Sequence, residues 1–153
     1  MRAPGVLRDR PSRQQLAVFA GYVIAAAVCV TVGVFYTDFL LSVFVAERED
    51  GTLVGRLSVG RDPHPASTHV ADVGLMVALD ARRQGVGTAL LRAAVDWARG
   101  AGIRKLELHV FPWNEAAIAL YDAFGFEREG YRKHHYRRGG ELVDAILMAY
   151  EVE

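Results

Sequence analysis

Apolar and polar positions from residue 40 onward predict a sheet. Residues 40–47 and 52–60 are rich in β-forming side chains, and a turn at 49–51 separates them, so we expect a hairpin. A loop with two prolines follows at 61–68. Residues 69–77 then end in a nearly continuous apolar run, which is typical of a strand at the centre of a sheet.

The next segments alternate between helix and strand patterns. Residues 85–99 carry apolar side chains at helical spacing, from Val86 to Trp97, and predict an amphipathic helix. Residues 105–111 alternate and predict a strand that Pro112 ends. A strand, a helix and a strand in this order predict two parallel strands joined by a right-handed crossover, with the helix on one face.

A second helix and a last hairpin complete the pattern. The helix is bounded by Asn114, a residue type suited to the N-cap, and by Gly125 at its carboxyl end. Residues 126–137 and 142–152 predict two strands joined at 139–140. The fold class is therefore predicted to be α/β, with a mixed twisted sheet flanked by helices.

The first 39 residues differ from this pattern, so we predict a separate segment at 1–39 ahead of one domain at 40–153. Residues 16–35 carry no charge, which matches the length of a membrane span, and four arginines precede them. Three interpretations stay open: a membrane anchor, a buried helix or helix pair packed on the domain, and a start that is not the natural one. The basic leader of an anchor would favour a cytoplasmic amino terminus.

Composition narrows the range of partners. With 153 residues, 52% of them hydrophobic, the chain can bury a sizeable core. The 18 basic and 18 acidic residues balance, so no overall charge favours nucleic acid, and the basic stretch 132–138 is interpreted as a solvated face or the rim of an acidic-substrate site. Cys29 is the single cysteine, and neighbours such as His134 and His135 point to opposite faces of a strand, so no metal site is expected.

The loop before the first helix carries the strongest chemical signal. Gly85 and Gly87 lack side chains, so a diphosphate can approach the free N–H groups at the helix start. Arg82 and Arg83 add charged donors. A dinucleotide-binding fingerprint would need a third glycine where Leu90 stands. A nucleoside-triphosphatase loop is excluded because no Gly-Lys-Ser or Gly-Lys-Thr occurs.

Two motifs together resemble the GNAT superfamily of N-acetyltransferases. One is Arg-Arg-Gln-Gly-Val-Gly at 82–87 with its helix, and the other is Asn-Glu-Ala-Ala-Ile-Ala-Leu-Tyr-Asp-Ala-Phe-Gly-Phe at 114–126. The ending at 130–148 is similar to members that acetylate small amines or protein amino termini. From residue 40 onward, the resemblance implies a GNAT-like fold, acetyl-CoA as acyl donor, no metal, and a cytoplasmic protein that is membrane-associated if residues 16–35 are an anchor.

The resemblance also implies roles for individual residues. Two strands, at 72–77 and 105–111, would splay apart and hold the pantetheine arm through backbone groups near Met76 and Val77. The amides of 84–88 would hold the pyrophosphate. The implied cofactor-binding residues are Met76, Val77, Arg82, Arg83, Gln84, Gly85, Val86, Gly87, Thr88 and Asn114, and the implied catalytic residue, which protonates the departing thiolate, is Tyr121.

The base that deprotonates the amine is left open. The candidates are Asp72 on the central strand, Glu107 and His109 on the next strand, and His69 or His134. Water can also serve when the amine is already partly neutral.

Three functions fit these features. The first is an acyl-CoA-dependent N-acetyltransferase acting on the primary amine of a small molecule or on a peptide amino terminus. The second is a non-catalytic acyl-CoA-binding module, tethered to a membrane in one form, because the strand and two helices that family members carry ahead of residue 40 are replaced here by the uncharged run. The third is a membrane-anchored binding protein unrelated to acyl transfer. Acyl-chain preference and oligomeric state, including a homodimer, stay open.

Overall fold

The computed structural model describes residues 17–21 and 41–153. The strands are β1 (Ala17–Gly21), β2 (Leu41–Glu47), β3 (Leu53–Arg61), β4 (Val70–Val77), β5 (Lys105–Val110), β6 (Glu127–Arg138) and β7 (Glu141–Glu151), and the helices are α1 (Val86–Gly100) and α2 (Glu115–Phe124). These strands form one sheet in the order β1-β2-β3-β4-β5-β7-β6, in which β4 and β5 are parallel and the other neighbours antiparallel. The predicted α/β fold class is confirmed.

One strand was not predicted from the sequence. β1 lies inside the uncharged run 16–35 and pairs antiparallel with β2, from Ala17 opposite Glu47 to Gly21 opposite Val43. Both structural interpretations of this run expected a helix, and for these five residues they were wrong. A short apolar run suits either element, and here the edge of β2 supplies backbone partners. The remainder of 16–35 and of the segment 1–39 lies outside the described residues.

Neither of the two α-helices in the described part of the chain is long and apolar enough to be a membrane-spanning helix.

A single core lies between the sheet and the two helices. The apolar stripe of α1 packs on β2, β3 and β4, and α1 also contacts α2. Leu57 from β3, Leu90 from α1, Leu106 from β5 and Met148 from β7 are among its fully buried side chains. The core therefore joins elements from most of the described chain, and it fixes α1 against the central strands.

The other face of the sheet, called here the open face, is not covered over β4 by any described residue. Asp72, Gly74 and Met76 are exposed on this face, and the Met76 side chain is 68% exposed. The sequence predicted a strand at the centre of the sheet because its end is a nearly continuous apolar run. The strand is central in the sheet, but its second face borders the opening described next.

The parallel strands β4 and β5 separate after a short paired stretch. Their pairing runs only from Val70 opposite Lys105 to Asp72 opposite Glu107. β4 continues to Val77 and β5 to Val110, so a gap opens between the two carboxyl ends. The splay implied by the sequence resemblance is confirmed, and it determines where a ligand can enter the sheet.

Candidate active site

Backbone groups of β4 line the gap. The carbonyl of Val70 and the N–H of Ala78 bond on the β3 side, whereas the carbonyl of His69 accepts bonds from residues leading into β5. Peptide groups alternate in direction along a strand, so Leu75 and Val77 turn their N–H and C=O groups toward the gap. They have lost the partner strand there and are available to a ligand.

By the same alternation, the N–H and C=O groups of Met76 point toward β3. Its exposed side chain is what reaches the opening. The sequence placed the ligand-facing backbone near Met76 and Val77, and the register assigns it to Leu75 and Val77. Val77 also shows how this edge can be used, because its carbonyl accepts a bond from Nε of Arg82 at 3.3 Å.

A cleft of about 930 Å³ runs along the gap between β3, β4, the start of α1 and α2. It collects most of the residues that the sequence singled out, although they come from four separate segments. The ones that line it are Met76, Val77, Arg82, Arg83, Gly85, Gly87, Thr88, Asn114 and Tyr121.

The start of α1 faces this cleft and has the features of an anion site. Gly85, with φ +85°, turns the chain into the helix, and Arg83 before it is also left-handed at φ +60°. Within the described chain no side chain caps this helix start, and its first turn holds no acidic residue. The N–H groups of Val86, Gly87 and Thr88 have no acceptor inside the helix, and the positive end of the helix dipole favours an anion beside them.

Gly87 keeps that site accessible. A Cβ added there would lie 2.7 Å from Cδ2 of Leu120 on α2. The glycine therefore allows α1 and α2 to approach closely, while its missing side chain leaves space for a ligand at the helix start.

Two of the residues that the sequence assigned to the cofactor do not turn their side chains into the cleft. Val86 is 2% exposed and lies in the core against Gly55. A Cβ added to Gly55 would lie only 2.8 Å from Cγ1 of Val86. Gln84 donates from Nε2 to the carbonyl of Asp80 at 2.7 Å. Only the backbone N–H groups of these two residues remain available to a ligand.

A contact that sequence reasoning missed holds this loop in place. Nη2 of Arg48 lies 2.8 Å from Oδ2 of Asp80, and the same Asp80 accepts from Gln84 through its carbonyl. The hydrogen bond and charge of Arg48 hold the pKa of Asp80 below its ordinary value. Arg48 stands 32 residues earlier, in the turn after β2, so no local pattern marks the pair.

Tyr121 belongs to both the core and the cleft. Its ring packs against Phe126 at 5.6 Å between centroids, and the residue is 7% exposed. Burial raises the pKa of Tyr121 to about 12, so the phenol stays protonated at neutral pH. No hydrogen bond or charge of the described residues acts on the pKa of its hydroxyl, and the residue lines the cleft, so its proton is available to a ligand there.

Asn114 likewise has two roles. Its Oδ1 accepts from the N–H of Ala117 at 3.3 Å and caps α2, and the residue lines the cleft. The helix-cap interpretation is thus confirmed without removing Asn114 from the ligand's reach.

The carboxyl and imidazole groups proposed as bases separate into two locations. Asp72, Glu107 and His109 share the open face where β4 and β5 part, because the residues between them point into the core. His69 precedes β4 at its far end and is exposed, while His134 is exposed on β6. Only the first three lie on the two strands that border the gap.

These three differ in their surroundings. Glu107 is paired with Lys105 at 3.0 Å. Burial mainly raises the pKa of Asp72, with His109 opposing this and Glu107 adding to it, although solvent reaches the side chain. Burial, followed by the charges of Arg132 and His135, lowers the pKa of His109. Nε2 of His109 is enclosed and, among the described residues, has no hydrogen-bond partner.

Comparison with known proteins places this geometry among acetyltransferases. The model of a family described as "Acetyltransferase (GNAT) family" matches residues 17–126. The L-amino acid N-acetyltransferase AaaT of Escherichia coli K12 is 39% identical over 104 residues, 65% of this chain and 62% of that protein. The crystal structure of a ribosomal-protein-alanine N-acetyltransferase from Brucella melitensis superposes with a TM-score of 0.67 at 33% identity, covering 72% of this chain and 68% of that one.

A second similar structure contains acetyl-CoA. It is the phosphinothricin acetyltransferase (Pat) of Sinorhizobium meliloti in complex with AcCoA, at 25% identity and a TM-score of 0.66, covering 73% of this chain and 61% of that one. The chain spans less than two thirds of the length of AaaT. The family match begins at residue 17, the first residue of β1, and so earlier than residue 40, where the resemblance in the sequence began.

Proposed function

This chain belongs to the GNAT family of acetyltransferases, and we propose that it transfers an acetyl group from acetyl-CoA to a primary amine. The observation that carries the proposal is the gap between β4 and β5, whose free backbone edge leads to the open amino terminus of α1 within one cleft. A long ligand with amide groups and a pyrophosphate matches that succession. We include β1 with residues 40–153 in the transferase unit, since it extends the same sheet.

The cleft suggests how acetyl-CoA would be held. Its pantetheine amides would pair with the peptide groups of Leu75 and Val77, in the way that a strand extends a sheet edge. Its pyrophosphate would bind the N–H groups of residues 84–88, with Arg83 beside them and Arg82 released from Val77. Asn114 lies across the cleft from this loop, next to α2.

The reaction needs a neutral amine and a proton for the sulfur. The amine nitrogen attacks the thioester carbonyl carbon, a C–N bond forms, and the C–S bond breaks. Tyr121 would give its phenolic proton to the departing thiolate, since its raised pKa keeps that proton in place until the sulfur needs it. The proton that the amine loses would pass to a base on the open face.

Among the candidate bases, His109 has the best surroundings. Its lowered pKa favours the neutral imidazole at pH 7, so it can accept a proton, and it lies on the open face where β4 and β5 part. Glu107 is engaged by Lys105. His69 lies before the paired start of β4, at the end opposite the gap, and His134 is exposed on β6. We therefore assign the amine's proton to His109, with Asp72 beside it.

The amine is proposed to come from an amino acid or from the amino terminus of a peptide. The two named relatives support these classes, because one is an L-amino acid N-acetyltransferase and the other a ribosomal-protein-alanine N-acetyltransferase. Both acceptors present one α-amine, which is the group that the proposed base requires.

Calorimetry with acetyl-CoA, followed by thiol release against a panel of amino acids and short peptides, tests the proposal. We expect acetyl-CoA to bind and thiol release to depend on the amine. Absence of binding would overturn the proposal. Binding without thiol release across the panel would instead favour the non-catalytic acyl-CoA module.

A further inference from the structure

β6 is interrupted opposite Asp144. Arg132 pairs with Ala145 and Tyr136 with Val143, so three residues of β6, at 133–135, face the single residue Asp144 of β7. Such a bulge redirects side chains and is a device that strands use near functional sites. Here it lies in the part of the hairpin that reaches toward His109.

The bulge contains an unfavourable backbone conformation. His134 has φ +54°, in the left-handed region that a residue with a Cβ seldom adopts. Oδ1 of Asp144 accepts from the N–H of this residue at 2.7 Å, and Oδ2 accepts from the hydroxyl of Tyr131, also at 2.7 Å. These bonds to a carboxylate offset the strain at His134, and they lower the pKa of Asp144.

The strained turn has a consequence for His135. Its ring stacks on that of His109 with 4.8 Å between centroids and an interplanar angle of 27°. Tyr136 meets the same imidazole edge-on at 6.3 Å and lies 4.6 Å from His135. Adjacent residues of an extended strand point to opposite faces, so both rings can contact His109 only because the chain turns at His134.

We propose that Asp144 is a positioning residue that pins this bulge and so holds His135 against His109, the group assigned to accept the amine's proton. The inference rests on the proposed function. It adds a residue on β7 that touches neither the cleft nor His109, and it gives the otherwise exposed His135 a role as a wall of the acceptor site.

The groups around His109 show how the stacked His135 ring acts on the pKa of His109. Asp72 from β4 and Glu107 from β5 favour the protonated imidazole, while Arg132 and His135 from β6 disfavour it, as does burial. Loss of the His135 ring would hydrate His109 and remove a neighbour that disfavours the imidazolium. Its pKa would then rise, and more of the base would be protonated near neutral pH.

Asp144→Ala in the full chain is the principal test. We expect kcat at pH 7 to fall about tenfold through misplacement of the base, the acidic limb of kcat/KM to move to higher pH, and the affinity for acetyl-CoA to stay unchanged. Asp144→Asn keeps an acceptor oxygen for the N–H of His134 and should restore most of the turnover. Asp50→Ala removes another bond of this kind, in which a carboxylate accepts from the N–H of Thr52 at 2.9 Å, and serves as the matched control, with no change expected in the acidic limb.

A double-mutant cycle asks whether Asp144 acts through His135. If it does, Asp144→Ala added to His135→Ala will change kcat little beyond the single variant. Additive losses would overturn the proposal. If Asp144→Ala fails to fold, His135→Ala alone tests the stack on His109. It should move the acidic limb of kcat/KM to higher pH, as expected for Asp144→Ala.

An NMR titration of His109 separates this inference from the proposed function. It needs no acetyl-CoA and no amine, so it stays informative if transferase activity is absent. We expect Asp144→Ala to change the ring-current shift of His109 and to raise its pKa. Resonances and a titration curve identical to those of the unmodified chain would overturn the inference, whatever the activity.

Discussion

The cofactor side and the acceptor side of the gap are built from different kinds of groups. On the proposed cofactor side, the peptide groups of Leu75 and Val77, those of residues 84–88 and two glycines lie within one stretch of chain. On the acceptor side, side chains from β4, β5, β6 and β7 meet at His109. The first surface depends on backbone conformation, and the second depends on which side chains the sheet brings together.

This difference suits the two ligands that the family requires. A donor shared by many enzymes can be bound through backbone groups that place little demand on side-chain identity. An acceptor that varies between enzymes must be recognised by side chains. We therefore expect variants on the cofactor side to change acetyl-CoA affinity, and variants on the acceptor side to change turnover and its pH dependence.

Gly87→Val is the strongest test of the cofactor side. The new side chain would collide with Leu120 and fill the space at the start of α1. Because the side chain occupies space that the ligand needs, acetyl-CoA affinity should fall by about 100-fold in calorimetry, while overpacking lowers the stability of the fold by on the order of 1–3 kcal/mol. Gly100→Ala, where nothing lies within 4 Å of an added Cβ, should bind normally. Normal binding by Gly87→Val would mean that this glycine is only a packing residue.

Tyr121→Phe tests the group at the junction of the two sides. The ring contact with Phe126 is retained and the proton is lost, so kcat should fall by about 100-fold with acetyl-CoA affinity unchanged. Tyr150→Phe is the control, since the ring of Tyr150 packs on Phe124 and Phe126, and it should leave kcat unchanged. Unaltered turnover of Tyr121→Phe at several pH values would exclude this residue as the proton donor.

The acidic limb of kcat/KM reports on the acceptor side. Because the pKa of His109 is lowered, the limb should lie below 6.5, the ordinary value for histidine. Arg132→Gln removes a cation that disfavours the imidazolium, so the pKa rises and the limb moves to higher pH. Turnover should then fall severalfold near pH 6 and stay unchanged near pH 8. Arg137→Gln on the same strand is the control variant. If Arg132→Gln leaves the pH of the acidic limb unchanged, His109 is not the group that the limb reports.

The smallest effect is expected from Asp80→Ala. It removes the contact with Arg48 that steadies the glycine loop, but the pair is exposed, so acetyl-CoA affinity should weaken only about threefold and the loss should shrink at high salt. Asp122→Ala removes another exposed aspartate–arginine pair, which joins α2 to Arg128 on β6, and should leave acetyl-CoA affinity unchanged. A change in the pH limb rather than in affinity would show that the two sides are not separable.

Local patterns determined much of this protein in advance. Periodicity, caps and turn residues predicted the strands and helices from residue 41 onward, and two motifs indicated the family and the gap. Gly85, Gly87, Asn114 and Tyr121 could be singled out because each is marked by its neighbours along the chain. These signals concern backbone geometry within one or two turns, which sequence spacing encodes directly.

Only the tertiary structure decided the rest. β1 forms because β2 presents a free edge. The glycine loop is held through Asp80 by Arg48, which stands 32 residues earlier in the chain. Strand register shows that the peptide groups of Leu75, rather than those of Met76, face the gap. From the sequence, His135 was considered only as a metal ligand beside His134. Its stack on His109 follows from the bulge in which Asp144 accepts the N–H of a left-handed His134. Bulges and long-range pairs depend on which strands align, and no local period in the sequence carries that information.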